Sequence, residues 1–232
     1  MGLSMAITAE RDSKTAPLRP SSIVDGVYDA IYEQLMALHI APGVRITIDN
    51  LARALNVSQT PVREALSRLE REGLVRKAHL IGYSAAPQLT RKQFDDLYSF
   101  RLLLEPEAAR LAVRNMSPEA LAELEASATK MHYDGTPPDR SSRYSSFARA
   151  DADFHDEILR IGRNEVIRNT LANQHVHLHI FRLMFHTRVT QEALEEHERL
   201  LKAFRAGNEA AAATAMYEHI ERSRDRLLAA FD

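Results

Sequence analysis

LARALNVSQTPVREALSRLEREG, residues 51–73, decides how the rest of the chain is read. Leu51, Ala52 and Leu55 recur at the spacing of one helix face, and Val62, Leu66 and Leu69 at that of a second. Asn56 ends the first run and a turn follows. Ser58 or Thr60 is placed to cap the second helix, and Pro61 suits its first turn, where a backbone N–H has no intrahelical partner. Two short helices joined by a tight turn, with Arg63 near the start of the second, form a helix-turn-helix pattern.

Composition sets the frame around that pair. A chain of 232 residues, 45% apolar and 27% charged, is that of an ordinary globular protein with room for two modest domains. It has no cysteine, which excludes disulfides and thiolate metal sites. No apolar run approaches the ~20 residues of a membrane span, so no membrane partner and a cytoplasmic setting are expected. Residues 1–20 lack an apolar segment and carry Glu10 and Asp12, which reads as a flexible arm and not a signal peptide. The net charge of −2 does not announce nucleic acid. Between residues 41 and 80, however, seven Lys/Arg face four Asp/Glu, in keeping with a phosphate-facing surface.

Outward from the pair, Ile23, Val27, Ile31, Leu35 and Leu38 predict a preceding helix over residues 22–39, broken by Pro42-Gly43. After Gly73, LVRKAHLIGYSAA reads as two short strands and a tip, with Arg76, Lys77 and His79 on or near the tip: the wing of a winged helix-turn-helix. Beyond Pro87 the periodicity is helical, with helices expected over 90–115, 117–132, 146–162, 164–186, 190–206 and 208–230. Thr90, Ser117, Asn164, Thr190 and Asn208 stand where caps belong. Pro106 is expected to kink or restart the first of these helices, and residues 133–145 to form a loop. The fold class is therefore mainly α: a winged helix-turn-helix (three helices and a β-hairpin wing) over residues 21–87, then an antiparallel all-helical bundle over 88–232.

Asp151 and His155 lie four apart and share a helix face, while His197 and His219 sit on two later helices with apolar neighbours. Gathered in a bundle core, one carboxylate and three imidazoles suit a divalent ion of the Zn, Ni or Mn type. The same spacing also describes a solvated, self-paired helix face. Asp153 points away from the face of His155. In HVHLH, His175 and His179 share a face and His177 points nearly opposite, which reads as wall or surface. At most His175 or His179, with Arg182, lines a ligand cavity. His155-Asp156 is also the dipeptide of HD-type metal phosphohydrolases, without that class's further ligands.

Pro42-Gly43, Leu51-Ala52, Val57-Ser58, Thr60–Leu66, Leu69 and Gly73–Val75 resemble the DNA-binding domain of the GntR family of bacterial transcription regulators over residues 22–86. The resemblance implies a regulator, not an enzyme, whose recognition helix enters the major groove and whose wing approaches the minor groove. Ser58, Gln59, Thr60 and Arg63 would meet bases and phosphates, with Arg53, His79 and Gly82 beside them. Many members carry Arg where this chain has Gln59, and Gln favours adenine over guanine. LYSFRLLLEPEAARLA, DADFHDEILRIGRN and EHERLLKAFRAGNEAAAATAMYEHI resemble the FCD ligand-binding domain of the FadR/VanR-like branch over residues 91–230. That resemblance assigns Asp151, His155, His197 and His219 to a metal ion and Arg101 to a small organic acid effector. It gives the HVHLH histidines no ligand role. A homodimer on a palindromic operator of double-stranded DNA follows, with repression as the expected polarity. A metal-free effector pocket is the alternative.

Overall fold

The computed structural model describes residues 20–132, 140–184 and 190–231. Helix α1 (Pro20–Met36) is followed by strand β1 (Arg45–Ile46), helices α2 (Ile48–Ala54) and α3 (Gln59–Arg71), and strands β2 (Val75–Ala78) and β3 (Gly82–Ala85). Then come α4 (Arg91–Asn115), α5 (Pro118–Thr129), α6 (Arg140–Ile161), α7 (Glu165–Ala172), α8 (Val176–Met184), α9 (Thr190–Arg205) and α10 (Glu209–Leu228), closed by a 3-10 turn at Ala229–Phe231. No helix among the described residues is long and apolar enough to cross a membrane. Residues 1–19 of the expected arm lie outside the described residues.

The winged part is built on the α1–α3 contact. Val62, Ala65, Leu66 and Leu69 of α3 are fully buried, and α1 contributes Val27, Ile31, Leu35 and Met36. Burying each large aliphatic side chain stabilises by about 1.5–3 kcal/mol, which holds the pair without help from helix propensity. Asn56 takes a left-handed backbone (φ 53°) between α2 and α3, a conformation Asn tolerates better than most residues. Ser58 is the N-cap residue of α3, but its side chain accepts no capping bond. The sheet has the order β1-β3-β2, antiparallel throughout. Two strands were expected. The third, Arg45–Ile46, pairs with Tyr83 and Ser84 and is too short to leave a period-2 signature. Arg76 and Lys77 lie on β2 itself, so the wing tip is His79–Ile81, with Leu80 93% exposed. α1 also ends three residues before the predicted His39, because Leu38 turns left-handed (φ 58°).

In the bundle, α4 packs along α10, and α6 contacts α4, α5, α7 and α8. Thr90, Ser117, Asn164 and Asn208 accept cap hydrogen bonds, Thr90 in a full capping box with Gln93. α4 runs through Pro106 without a restart. The predicted 133–145 loop is shorter than expected: residues 133–139 lie outside the described residues, and residues 140–145 are helical. Tyr144 and Phe147 explain this, since their rings pack edge-on against Phe181, a tertiary gain that overrides the low helix propensity of the serines. The helix predicted over 164–186 is two helices. Gln174 and His175 close α7 with i→i+3 bonds, and His175 turns left-handed (φ 48°), so α8 leaves in a new direction.

His175 also meets the winged part. Gly73 ends α3 in a Schellman motif, with Leu74 N–H on the Leu69 carbonyl and Gly73 N–H on that of Glu70. Its φ is +73°, and a Cβ there would lie 2.6 Å from the His175 ring. Gly73→Ala should therefore lower stability by about 1–2 kcal/mol from backbone strain, with a further steric loss. In urea unfolding, adding His175→Ala should recover the steric part and leave the backbone part. Full recovery by His175→Ala would show that Gly73 is needed only for room.

Candidate metal centre and nucleic-acid interface

Arg53, Ser58, Gln59, Thr60 and Arg63 are all exposed and cluster around the α2–α3 turn and the N-terminal end of α3. Gln59 sits between two charges: its amide donates to Asp49 and accepts from Arg63 Nη2 at 3.1 Å. Arg53 Nη2 donates to Asn50 at 2.6 Å. The first N–H groups of α3 lack intrahelical partners and carry the helix's positive end, an arrangement that suits a phosphate. His79 and Gly82 flank the exposed wing tip, where Leu80 and the 63% exposed Ile81 add apolar surface that the sequence reading did not single out.

The second cluster lies inside the bundle. α6 places Asp151 and His155 one turn apart, α9 supplies His197 and α10 supplies His219, each with at most 5% of its surface exposed. The His155 ring centre is 5.5 Å from that of His197 and 5.1 Å from that of His219, and those two are 4.7 Å apart. His197 Nε2 lies 3.4 Å from Asp151 Oδ1. Two groups of donors are close enough to share an ion: His155, His197 and His219, and Asp151, His155 and His177. His177 is the residue that sequence reasoning turned away from the centre. From α8 its Nδ1 stands 2.9 Å from Asp151 Oδ2, with its ring centre 4.5 Å from that of His155.

Two buried carboxylates, neither singled out from sequence, orient this set. Glu105 Oε2 meets His155 Nδ1 at 3.1 Å and Glu196 Oε2 meets His219 Nδ1 at 2.9 Å. Each carboxylate is held in turn by an arginine: Arg101 spans Glu105 at 2.5 and 3.2 Å, and Arg226 spans Glu196 at 2.6 and 2.9 Å. Carboxylates on the far nitrogen of an imidazole are the usual support of a histidine that binds metal. In contrast, His155 Nε2 and both ring nitrogens of His197 are buried without a hydrogen bond, although His197 Nε2 lies near Asp151. Buried polar atoms are nearly always satisfied, so an unpaired nitrogen on each of two adjacent rings fits an ion that the protein itself does not supply.

The electrostatics agree. Burial would push the Asp151 carboxyl up, but the His177 hydrogen bond and the neighbouring imidazoles hold it well below the usual carboxylate range. Burial likewise opposes ionisation of Glu196, and the bonds from His219 and Arg226 outweigh it, bringing it down to about 2. Burial pushes His155, His197 and His219 down, which keeps the imidazoles neutral and their lone pairs available. Neutral imidazoles with one carboxylate make a donor set for a borderline divalent ion.

Arg101, Asp151, His177, His219, Ser223 and Arg226 also line a cavity of about 20 Å³ beside the centre, space for little more than one water. Asp156, the second half of the His-Asp dipeptide, turns outward to Arg168 at 2.7 Å. Arg182 faces the winged part and not the cavity: its Nη2 donates to the Ala86 carbonyl at 2.7 Å.

Residues 23–83 match the family described as bacterial regulatory proteins, gntR family, and residues 96–222 match the FCD domain. The chain is 26% identical to the HTH-type transcriptional regulator YdhC of Bacillus subtilis over 205 residues, 86% of this chain and 88% of that one. It is also 26% identical to a protein of Paenarthrobacter nicotinovorans named "Probable D-xylose utilization operon transcriptional repressor", over 90% of each chain. The solved structure of Escherichia coli McbR/YncC has the same fold, with a TM-score of 0.67 at 23% identity over 90% of this chain and 99% of that one. These relatives are regulators and not enzymes, and this chain belongs to the GntR family of transcription regulators, with a gntR winged helix-turn-helix followed by an FCD domain.

Proposed function

We propose that the chain is a metal-dependent, effector-responsive repressor, with residues 21–87 the DNA-binding domain and 88–232 the effector domain. The buried imidazoles of His155 and His197, each with a nitrogen lacking a hydrogen bond and set amid carboxylate-oriented neighbours, carry the metal part of this reading. Asp151, His155, His197 and His219 would hold a Zn, Ni or Mn-type ion. When bound, that ion supplies Lewis-acid positions to which a small organic acid coordinates. Arg101 and Arg226 line the adjoining cavity, and Glu105 and Glu196 fix where the guanidinium groups stand. The cavity is too small for an acid as it stands, so entry must displace lining side chains, which α4, α6, α8, α9 and α10 all supply. The effector would then favour a state in which those helices are rearranged, and the winged part with them.

Ser58, Gln59, Thr60 and Arg63 would read the major groove, with Arg53, His79 and Gly82 on flanking phosphates and the minor groove. One recognition helix reads few bases, so a twofold homodimer on a palindromic operator supplies the rest. The repressor polarity rests on the name of the Paenarthrobacter relative. A cytoplasmic setting follows from the DNA it would read.

Protein purified without chelator or affinity tag should carry one divalent ion per chain by elemental analysis. Zn²⁺ should raise the melting temperature of metal-stripped wild type but not of His197→Ala. A metal-free preparation with no such rise would overturn the ion. Arg63→Ala should weaken binding to a duplex selected by the protein from a random-sequence pool by about 10-fold or more, a loss of ~1–3 kcal/mol, with metal content unchanged.

Metal-stripped protein should also be acid-labile. Burial pushes His179 down to about 4 and displaces the centre's histidines in the same direction. An unfolded chain takes up these protons near pH 6.5 while the folded one does not, so stability falls on acidification from about pH 7 to 5. The slope is up to about 1.4 kcal/mol per pH unit for each displaced histidine. Glu196, lowered to about 2, adds a second loss below about pH 4.5. Urea midpoints that stay flat between pH 7 and 5 would contradict neutral buried imidazoles.

A further inference from the structure

We propose that His177 is a fifth protein ligand of the ion, and that α8 thereby couples ion occupancy to the winged reading head. This rests on the metal reading above and adds to it the path by which the centre reaches the DNA-binding elements. Asp151, His155 and His177 form a donor group of their own, sharing His155 with the His155, His197 and His219 group. His177 Nδ1 already touches Asp151 Oδ2 at 2.9 Å. In a neutral ring that leaves one nitrogen lone pair to meet an ion. Four imidazoles and one carboxylate would offer a nitrogen-rich donor set, which suits Zn²⁺, Ni²⁺ or Co²⁺ better than Mg²⁺ or Ca²⁺.

His177 differs from the other four in what its helix also holds. Five residues beyond it, Arg182 donates to the Ala86 carbonyl at the end of the wing sheet, and the Arg182 carbonyl accepts from Gln88 at 3.1 Å. Just before α8, the His175 ring packs against Gly73 at the end of α3. α8 also contacts α1 directly. The left-handed turn at His175 separates α8 from α7, so α8 can shift without dragging α7 along. His177 and Glu105 are shared between the buried centre and a cleft of about 440 Å³ whose other wall is Tyr28, Tyr32, Arg68 and Glu72 of the winged part. His177 and Glu105 therefore stand between the centre and the space separating the reading head from the bundle, and of the two only His177 belongs to α8. Drawing that imidazole onto an ion fixes α8, and α8 fixes residues 73–88.

The test uses the full chain, stripped of metal and titrated with Zn²⁺ against a chromophoric chelator, with hydrogen exchange followed at residues 73–88. Wild type should bind one Zn²⁺ and slow exchange over 73–88. His177→Ala should bind Zn²⁺ about 10-fold or more weakly and, at saturation, should leave exchange over 73–88 unchanged. The Co²⁺ absorption spectrum of His177→Ala should differ from that of wild type, reporting the lost nitrogen. His177→Gln keeps a polar group toward Asp151 and serves if the alanine variant loses cooperative melting. Equal affinity, equal spectra and equal protection in wild type and the His177 variants, with His197→Ala unable to bind, would overturn the coupling and leave the metal reading standing. Failure of wild type itself to bind Zn²⁺ would overturn both.

Discussion

Burying a charge in a helical bundle is destabilising unless a counter-charge is buried with it, and this constraint organises the C-terminal half of the chain. Arg101 is 2% exposed and finds Glu105 one turn along its own helix. The second oxygen of Glu105 fixes His155, and His155 stands one turn from Asp151 on α6. Asp151 is shared between His177 and His197, and His219 is fixed by Glu196, which Arg226 holds. The chain of partners runs through α4, α6, α8, α9 and α10. Removing one member strands another, at a cost of about 3–5 kcal/mol for a broken buried pair. Its open ends are nitrogens of His155 and His197 that make no hydrogen bond within the described residues.

Such a network also explains why much of the bundle is insensitive to local propensity. Pro106 interrupts the backbone bonding of α4 one residue after Glu105, yet the helix continues. Phe94, Tyr98, Ala108, Ala109 and Ala112 bury its face on both sides of the proline, and Tyr98 is tied to Ser223 of α10 at 2.8 Å. Tertiary contacts along the whole length outweigh one missing hydrogen bond.

How much of this was legible in the sequence depends on whether each signal is local. The helix-turn-helix was readable because its apolar spacing, its turn residue Asn56 and the glycine ending α3 all lie within 23 residues. Asp151 and His155 were readable as one face for the same reason. His197 and His219 were tied to them only by resemblance, since nothing local says that two helices distant in sequence converge. Arg101 and Glu105 are four apart, a local spacing from which their pairing could have been drawn, although the sequence reading assigns Arg101 to an effector acid instead. Glu196 offers no such spacing, because its partners are on α10. The histidines of HVHLH show a different limit. His175 and His177 do face different ways, as the periodicity says, but which side is the interior was set by the break at Asn173–His175. A continuous helix over 164–186 hides that break.

The reading head follows the opposite rule: its polar groups are left in water and tied only to one another. Gln59 has committed its amide nitrogen to Asp49 and its amide oxygen to Arg63. A bidentate contact of Gln59 with adenine would use both of those atoms, so in the proposed binding mode it must first release both neighbours. Releasing Arg63 frees a guanidinium beside the groove. Releasing Asp49 leaves a carboxylate where phosphate oxygens approach, an unfavourable juxtaposition of like charges. If Asp49 keeps its hold, Gln59 acts instead as a strut that presents Arg63 to the base edges. Selectivity at that step would then follow the arginine's preference for guanine and not the glutamine's for adenine.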